Sequence, residues 1–135
     1  MAPLAPTLPP RVLLVMPEQW PRALLRAELR ERGYDALGAP GVAAALAYPV
    51  SAPARGPVRL ILVDQAALGA SEEPLLAQLL ERHGHPASVL LTRLGQAPEA
   101  AGWTRVLSRP ARIADLADAV AALLPLPTGA LRPDR

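Results

Sequence analysis

Asp64 closes the most apolar strand pattern in the chain, Val58-Arg-Leu-Ile-Leu-Val-Asp64. In an open α/β sheet, a carboxylate at the C-terminal tip of a central parallel strand lies where such sheets bind their ligands. Alone there, it suggests a phosphoryl acceptor or a metal ligand. Both chemistries want more acid nearby, because Mg²⁺ is usually held by one or two carboxylates together with phosphate oxygens and water. The first strand pattern, Arg11-Val-Leu-Leu-Val15, runs into Met16-Pro17-Glu18, of which only Glu18 is acidic. Two later strand patterns end in Thr92 and in Ser108-Arg109-Pro110. The planar fork of Arg109 suits a bidentate pair with Asp64, which would put a fixed cation in the crevice. A plainer role for Asp64 is to cap the turn that follows its strand, and Thr92 has a plain role as a β-branched strand end.

Other candidate chemistry is thin. His83 and His85 flank Gly84, but two histidines without a third ligand fit a solvated helix end better than a metal centre. Ser51, Ser71, Ser88 and Ser108 lack a nucleophile-elbow motif and a triad spacing. No Gly-rich phosphate loop follows the first strand, which speaks against a nucleotide site. Trp20 and Trp103 are each expected to bury one face.

The elements that must position these residues alternate. Arg11–Val15 is a continuous apolar run, as in a strand buried on both faces. Pro17 or Pro21 opens a helix reaching about Arg32, since proline is tolerated in a first turn, and Gly33 closes it. Tyr34–Ala39 reads as a weak edge strand, Gly41–Ala47 as a short helix and Tyr48–Pro57 as a loop. After the Val58–Val63 strand, Ser71 reads as the cap of a helix whose apolar face is Leu75, Leu76, Leu79 and Leu80. Ala87–Leu91 and Trp103–Leu107 are the last strands. At most one helical turn, Pro98–Ala101, fits between them. Ile113–Leu124 is a closing amphipathic helix. This order implies a five-stranded parallel sheet, doubly wound with helices on both faces, in the flavodoxin-like order 2-1-3-4-5 with the fourth helix short or absent. The expected layout is a Pro-rich disordered arm over 1–10, one domain over 11–125 and a flexible tail over 126–135.

Bulk properties narrow the function classes. A chain of 135 residues is one ordinary domain. Its 51% hydrophobic but 3% aromatic composition requires a core of Leu, Val and Ala. All 14 basic residues are Arg, and 17 Pro accompany them, a bias that fits a GC-rich bacterial genome. The net charge is only +2 and the Arg residues alternate with acids, so no basic stripe for nucleic acid stands out. The absence of Cys removes disulfides and thiolate chemistry and is compatible with the cytoplasm. No apolar run reaches the roughly 20 residues of a membrane helix.

Over residues 11–124 the strand-tip constellation resembles the receiver domain (CheY-like) of bacterial two-component response regulators. In that resemblance Asp64 matches the phosphoacceptor and Thr92 the switch hydroxyl. Arg109-Pro110 stands where the family carries Lys-Pro. The acidic pair that holds Mg²⁺ is replaced by Met16 and Pro17, leaving Glu18 and Asp64 as the only acids for a weakened metal site. Val106 stands at the family's switch aromatic, Arg93 at its small residue, and the Thr92–Arg109 interval is about five residues short of the family pattern. The resemblance implies a phosphorelay signalling protein that is not an enzyme and whose partners are proteins such as a histidine kinase or an output protein, with a homodimer as an option. The departures favour a pseudo-receiver: an interaction module, with Mg weak or absent, whose contact surface involves the fifth strand, the last helix and the 93–102 segment. The alternative is a phosphoacceptor at Asp64 that works with a poor metal site. A small-molecule sensor has only the fold in its favour.

Overall fold

The computed structural model describes residues 8–52, 54–93 and 102–126. Six strands and four helices lie among them: β1 (Arg11–Val15), α1 (Gln19–Arg32), β2 (Asp35–Ala39), α2 (Val42–Leu46), β3 (Ser51–Ala52), β4 (Gly56–Asp64), α3 (Glu73–Arg82), β5 (Ala87–Leu91), β6 (Arg105–Leu107) and α4 (Ile113–Leu123). The sheet runs β2-β1-β4-β5-β6, and every pairing along this path is parallel. Counting the parallel strands alone, this is the order 2-1-3-4-5. The Pro98–Ala101 turn expected from the sequence lies outside the described residues.

Strand alternation divides the core between two faces. Val12, Leu14, Leu60, Leu62, Val89 and Leu91 pack against Leu25 and Leu29 of α1 and Leu116, Ala117 and Val120 of α4. Leu13, Val15, Ile61 and Val63 turn the other way, toward Val42 and Ala45 of α2 and Leu79 of α3. β1 and the end of β4 are buried on both faces, which is why they read as unbroken apolar runs. Each fully buried Leu contributes about 2 kcal/mol, and a core with almost no aromatic residues therefore needs many of them.

Several local readings are corrected. The Tyr48–Pro57 stretch is not all loop: Ser51–Ala52 pairs antiparallel with Gly56–Pro57, and β4 starts at Gly56. Gly56, at φ 79, makes that reversal possible. Helix α1 starts at Gln19, with Pro21 inside its first turn rather than Pro17. The residue at the N-cap of α3 is Glu72, not Ser71. Its carboxylate folds back to accept from Gly69 N–H at 3.0 Å, and Ser71 only donates to that carboxylate. His83 is not solvated. It is the last residue of the α3 turn and is buried, with no hydrogen-bond partner on either ring nitrogen. The reversal at Gly84 (φ 76) and His85 (φ 52) returns the chain toward β5 and leaves His85 exposed. Trp103 packs partly against the α2/α3 face, whereas Trp20 is 76% exposed.

The sheet's β2 edge is closed by side chains. Asp35 and Ala39 bond toward β1, so Ala36 and Gly38 face outward by alternation. Arg26 Nε donates to the Ala36 carbonyl at 3.0 Å, and Tyr48 OH donates to the Gly38 carbonyl. An edge whose carbonyls are already bonded is a poor template for another strand.

Candidate functional site

The C-terminal tips of β1, β4, β5 and β6 converge, because a doubly wound sheet with this order has its switch point there. β4 delivers Asp64, 1% exposed. The Asp64 Oδ1 atom accepts the Ala66 N–H at 2.9 Å, making Asp64 the N-cap of a short 3-10 turn over Gln65–Ala67. The carboxylate has a second set of bonds. Arg109 Nη1 donates to Oδ1 at 3.0 Å and Nη2 to Oδ2 at 2.6 Å. The capping role and the paired role, alternatives in the sequence, are thus filled by one side chain at once.

Arg109 also ties β5 to the site, since its Nη1 donates to the Thr92 carbonyl at 3.0 Å. The hydrogen bonds that Arg109 donates to Asp64 raise the Arg109 pKa, and the negative charges of Asp64 and Glu18 add to that effect against partial burial. The guanidinium is therefore a permanent cation. The Arg109-Pro110 peptide is cis. Thr92 is 1% exposed; its N–H donates to the Leu107 carbonyl at 2.9 Å, and its hydroxyl is buried without a partner. Val106 lies beside Leu90 in the β5–β6 ladder and is half-buried. The Arg93 side chain is exposed, while its backbone N–H donates to Gln65 Oε1 at 2.9 Å.

At the β1 tip, Met16 is 1% exposed and belongs to the core, whereas Pro17 and Glu18 are exposed. Glu18 is the residue before α1 and makes no side-chain cap bond. Arg22, in the first turn of α1, holds this loop by donating to the Met16 carbonyl at 2.7 Å. Its stem crosses Gly38, where an added Cβ would lie 3.0 Å from Arg22 Cγ and Cδ. Sequence reading missed Arg22 and Gln65. The available signal for Arg22 was an arginine in a first helical turn, where the helix dipole favours acids.

These residues do not fit Mg²⁺. Both oxygens of Asp64 are engaged by Arg109, and the β1 tip offers an apolar thioether and a proline in place of oxygen donors. Among the described residues, no group of three or more His, Cys, Asp or Glu side chains is arranged to hold a metal ion. The crevice supplies a clamp with a buried carboxylate and a partly exposed guanidinium that joins three strands.

No protein-family model matches this chain, and no curated protein matches it in sequence. Solved structures do match in fold. The non-phosphorylated receiver domain of HemR from Leptospira biflexa superposes with a TM-score of 0.69 at 17% identity, covering 90% of this chain and 99% of that one. The response regulator TrrA from Thermotoga maritima, solved with Mg²⁺ and BeF, gives 0.65 at 24% identity over 85% of this chain and 99% of that one. A structure described as adenylate cyclase from Rhodopirellula baltica gives 0.69 at 21% identity over 85% and 87%. The chain therefore has the fold of CheY-like response regulator receiver domains.

Proposed function

We propose that this chain is a pseudo-receiver, a protein–protein interaction module of two-component-type signalling that does not take a phosphoryl group in the usual Mg²⁺-dependent way. The observation that carries this reading is the Arg109 guanidinium seated on both oxygens of Asp64. Phosphoryl transfer to a carboxylate needs that carboxylate free to attack and a divalent cation to neutralise the transferring group. Here both carboxylate oxygens are held by a resident cation, and Met16 and Pro17 stand at the first strand tip where metal-binding acids would be needed. The same clamp joins β4, β5 and β6, so the tips keep one arrangement without a ligand. A fixed arrangement suits constitutive binding of a signalling partner, a histidine kinase or an output protein, through β6 and α4. A non-enzymatic role and a cytoplasmic location are parts of the same proposal. No helix among the described residues is long and apolar enough to cross a membrane.

The test is incubation with acetyl phosphate and Mg²⁺ followed by phosphate-affinity electrophoresis. The expected result is no shifted band. A stoichiometric shift that disappears in Asp64→Asn would overturn the proposal. It would favour the second reading, a phosphoacceptor with a weakened metal site, for which the electrostatic reach of Glu18 to Arg109 is the specific support. Restoring the missing donors gives the converse test: Met16→Asp with Pro17→Asp and Arg109→Lys is expected to create Mg²⁺ binding that the unaltered chain lacks, read by calorimetric titration.

A further inference from the structure

A cavity of about 330 Å³ lies between α1, β2 and the residues that follow α2. Its walls include Gln19, Arg22 and Arg26 of α1, Leu37 and Gly38 of β2, and Tyr48. No acidic side chain lines it, and none of its residues belongs to the Asp64–Arg109 clamp. The volume falls at the lower end of the range of about 300–1,000 Å³ usual for small-molecule sites.

The two arginines in its wall stand apart from the others. Among the described residues, Arg11, Arg32, Arg55, Arg109 and Arg112 each have a carboxylate partner. Of the described arginines without one, only Arg22 and Arg26 are partly buried, and the rest are exposed. Partial burial of a cation without a counter-charge is costly, and Arg22 sits in a first helical turn, where the backbone dipole is already positive. Backbone carbonyls meet part of the cost. Arg22 Nη1 donates to the Met16 and Pro17 carbonyls at 2.7 and 3.4 Å, and Arg26 Nε to the Ala36 carbonyl at 3.0 Å. These bonds hold the two side chains in place. They leave Nε and Nη2 of Arg22 and both terminal nitrogens of Arg26 without an acceptor among the described residues.

Gly38 sets how closely Arg22 approaches the strand. A Cβ at that position would lie 3.0 Å from Arg22 Cγ and Cδ, so only bare backbone lets the stem lie flat on β2. Tyr48 closes the far wall by donating its hydroxyl to the Gly38 carbonyl. The spacing of four residues stacks the two guanidinium groups on one face of α1, about 6 Å apart along its axis.

We propose that this cavity is an anion site that takes the phosphate group of a small phosphate monoester. Such a group carries about −1.5 to −2 charge at neutral pH and three terminal oxygens on one centre. That matches two neighbouring cations with unused N–H donors, and guanidinium forks pair with phosphate oxygens in bidentate fashion. A single carboxylate would leave one arginine uncompensated. Leu37 and the Tyr48 ring offer an apolar wall to the organic part of the ligand. The site is separate from Asp64, so its test and the phosphorylation test fail independently.

Calorimetric titration of the full chain at neutral pH is expected to show saturable one-to-one binding of inorganic phosphate and of phenyl phosphate, with phenyl phosphate the tighter. Amide shifts in NMR spectra are expected to centre on Gln19, Leu37 and Gly38. Arg26→Gln is expected to weaken binding at least about tenfold, the scale of one charged hydrogen bond. Arg26→Lys keeps the charge without the fork and is expected to lose less. Gly38→Ala changes no charge but displaces the Arg22 stem, and it is expected to weaken binding in a chain whose thermal midpoint shows it folded. Arg30→Gln removes an exposed arginine outside the cavity and is expected to keep the affinity within about twofold. Absence of saturable binding of both probes overturns the proposal. So does binding that survives both Arg26→Gln and Gly38→Ala, phenyl phosphate bound more weakly than phosphate itself, or succinate bound more tightly than phosphate. Shifts centred on Thr92 and Arg109, or Arg30→Gln as damaging as Arg26→Gln, overturn it as well.

Discussion

Among the described residues, two arginine–aspartate pairs each have one deeply buried partner, Asp64 in one and Arg11 in the other, and they lie at opposite ends of the sheet. At the C-terminal tips, Arg109 meets Asp64 with two parallel bonds of 3.0 and 2.6 Å, and its third contact is a backbone carbonyl. At the base, Arg11 and Asp35 are register partners in β1 and β2. There the Arg11 Nε atom lies 3.3 Å from Asp35 Oδ2 and makes no hydrogen bond, although Nη1 donates to the Gly56 carbonyl at 3.2 Å. Asp35 is also shared with Arg55 at 3.4 Å. One pair is a closed clamp on a carboxylate whose remaining bond is to the Ala66 N–H of its own turn. The other is a looser contact whose acid has a second cation. A buried ion pair is stabilising only where its geometry and remaining hydrogen bonds offset desolvation, so the crevice pair alone has the form of a device for holding one arrangement.

The same substitution at both ends separates the two. Arg109→Met strands Asp64, whose side chain is 2% exposed, and is expected to cost about 3 kcal/mol in urea unfolding. Asp64→Asn keeps the acceptor for the Ala66 N–H but loses the charge, and an intermediate loss of about 1–2 kcal/mol is expected in the same assay. Arg11→Met leaves Asp35 with Arg55 and is expected to cost about 1 kcal/mol or less. If Arg11→Met proves as damaging as Arg109→Met, the contrast between the ends is wrong. The smallest effect belongs to His83. Burial, with Arg82 and Arg11 nearby, lowers its pKa from the ordinary value of about 6.5. The unfolded chain then binds the proton more tightly, so this contribution to stability is present above pH 6.5 and is lost as pH falls below it. Unfolding curves through that range are expected to show the decline in the unaltered chain and a flatter dependence in His83→Leu.

Much of this was legible in residue order. The unbroken runs Arg11–Val15 and Val58–Val63 carry their burial on both faces in their composition, and alternation with helices forces a parallel sheet. Gly33, found at φ 111, marks the end of α1 as its type requires. The residues of the crevice were nameable because strand tips follow from strand ends. Other features were not legible. The 51–52 strand is two residues long and exists only because Gly56–Pro57 lies beside it. The burial of His83 depends on how the Gly84–His85 reversal directs the chain, which no periodicity encodes. Arg22 and Gln65 act through backbone groups distant in sequence, so their types alone gave little sign of it.

The sequence by itself determined the layer order, the strand that carries Asp64 and the presence of Met16 and Pro17 at the first tip, because these follow from local pattern and residue type. Tertiary structure decided that one carboxylate both caps its own turn and clamps Arg109 from 45 residues away. It also decided that Trp20 faces outward while Leu25 and Leu29 of the same helix are buried. Both outcomes depend on where separate elements pack, and the contacts that choose them are long-range, so no window along the chain contains them.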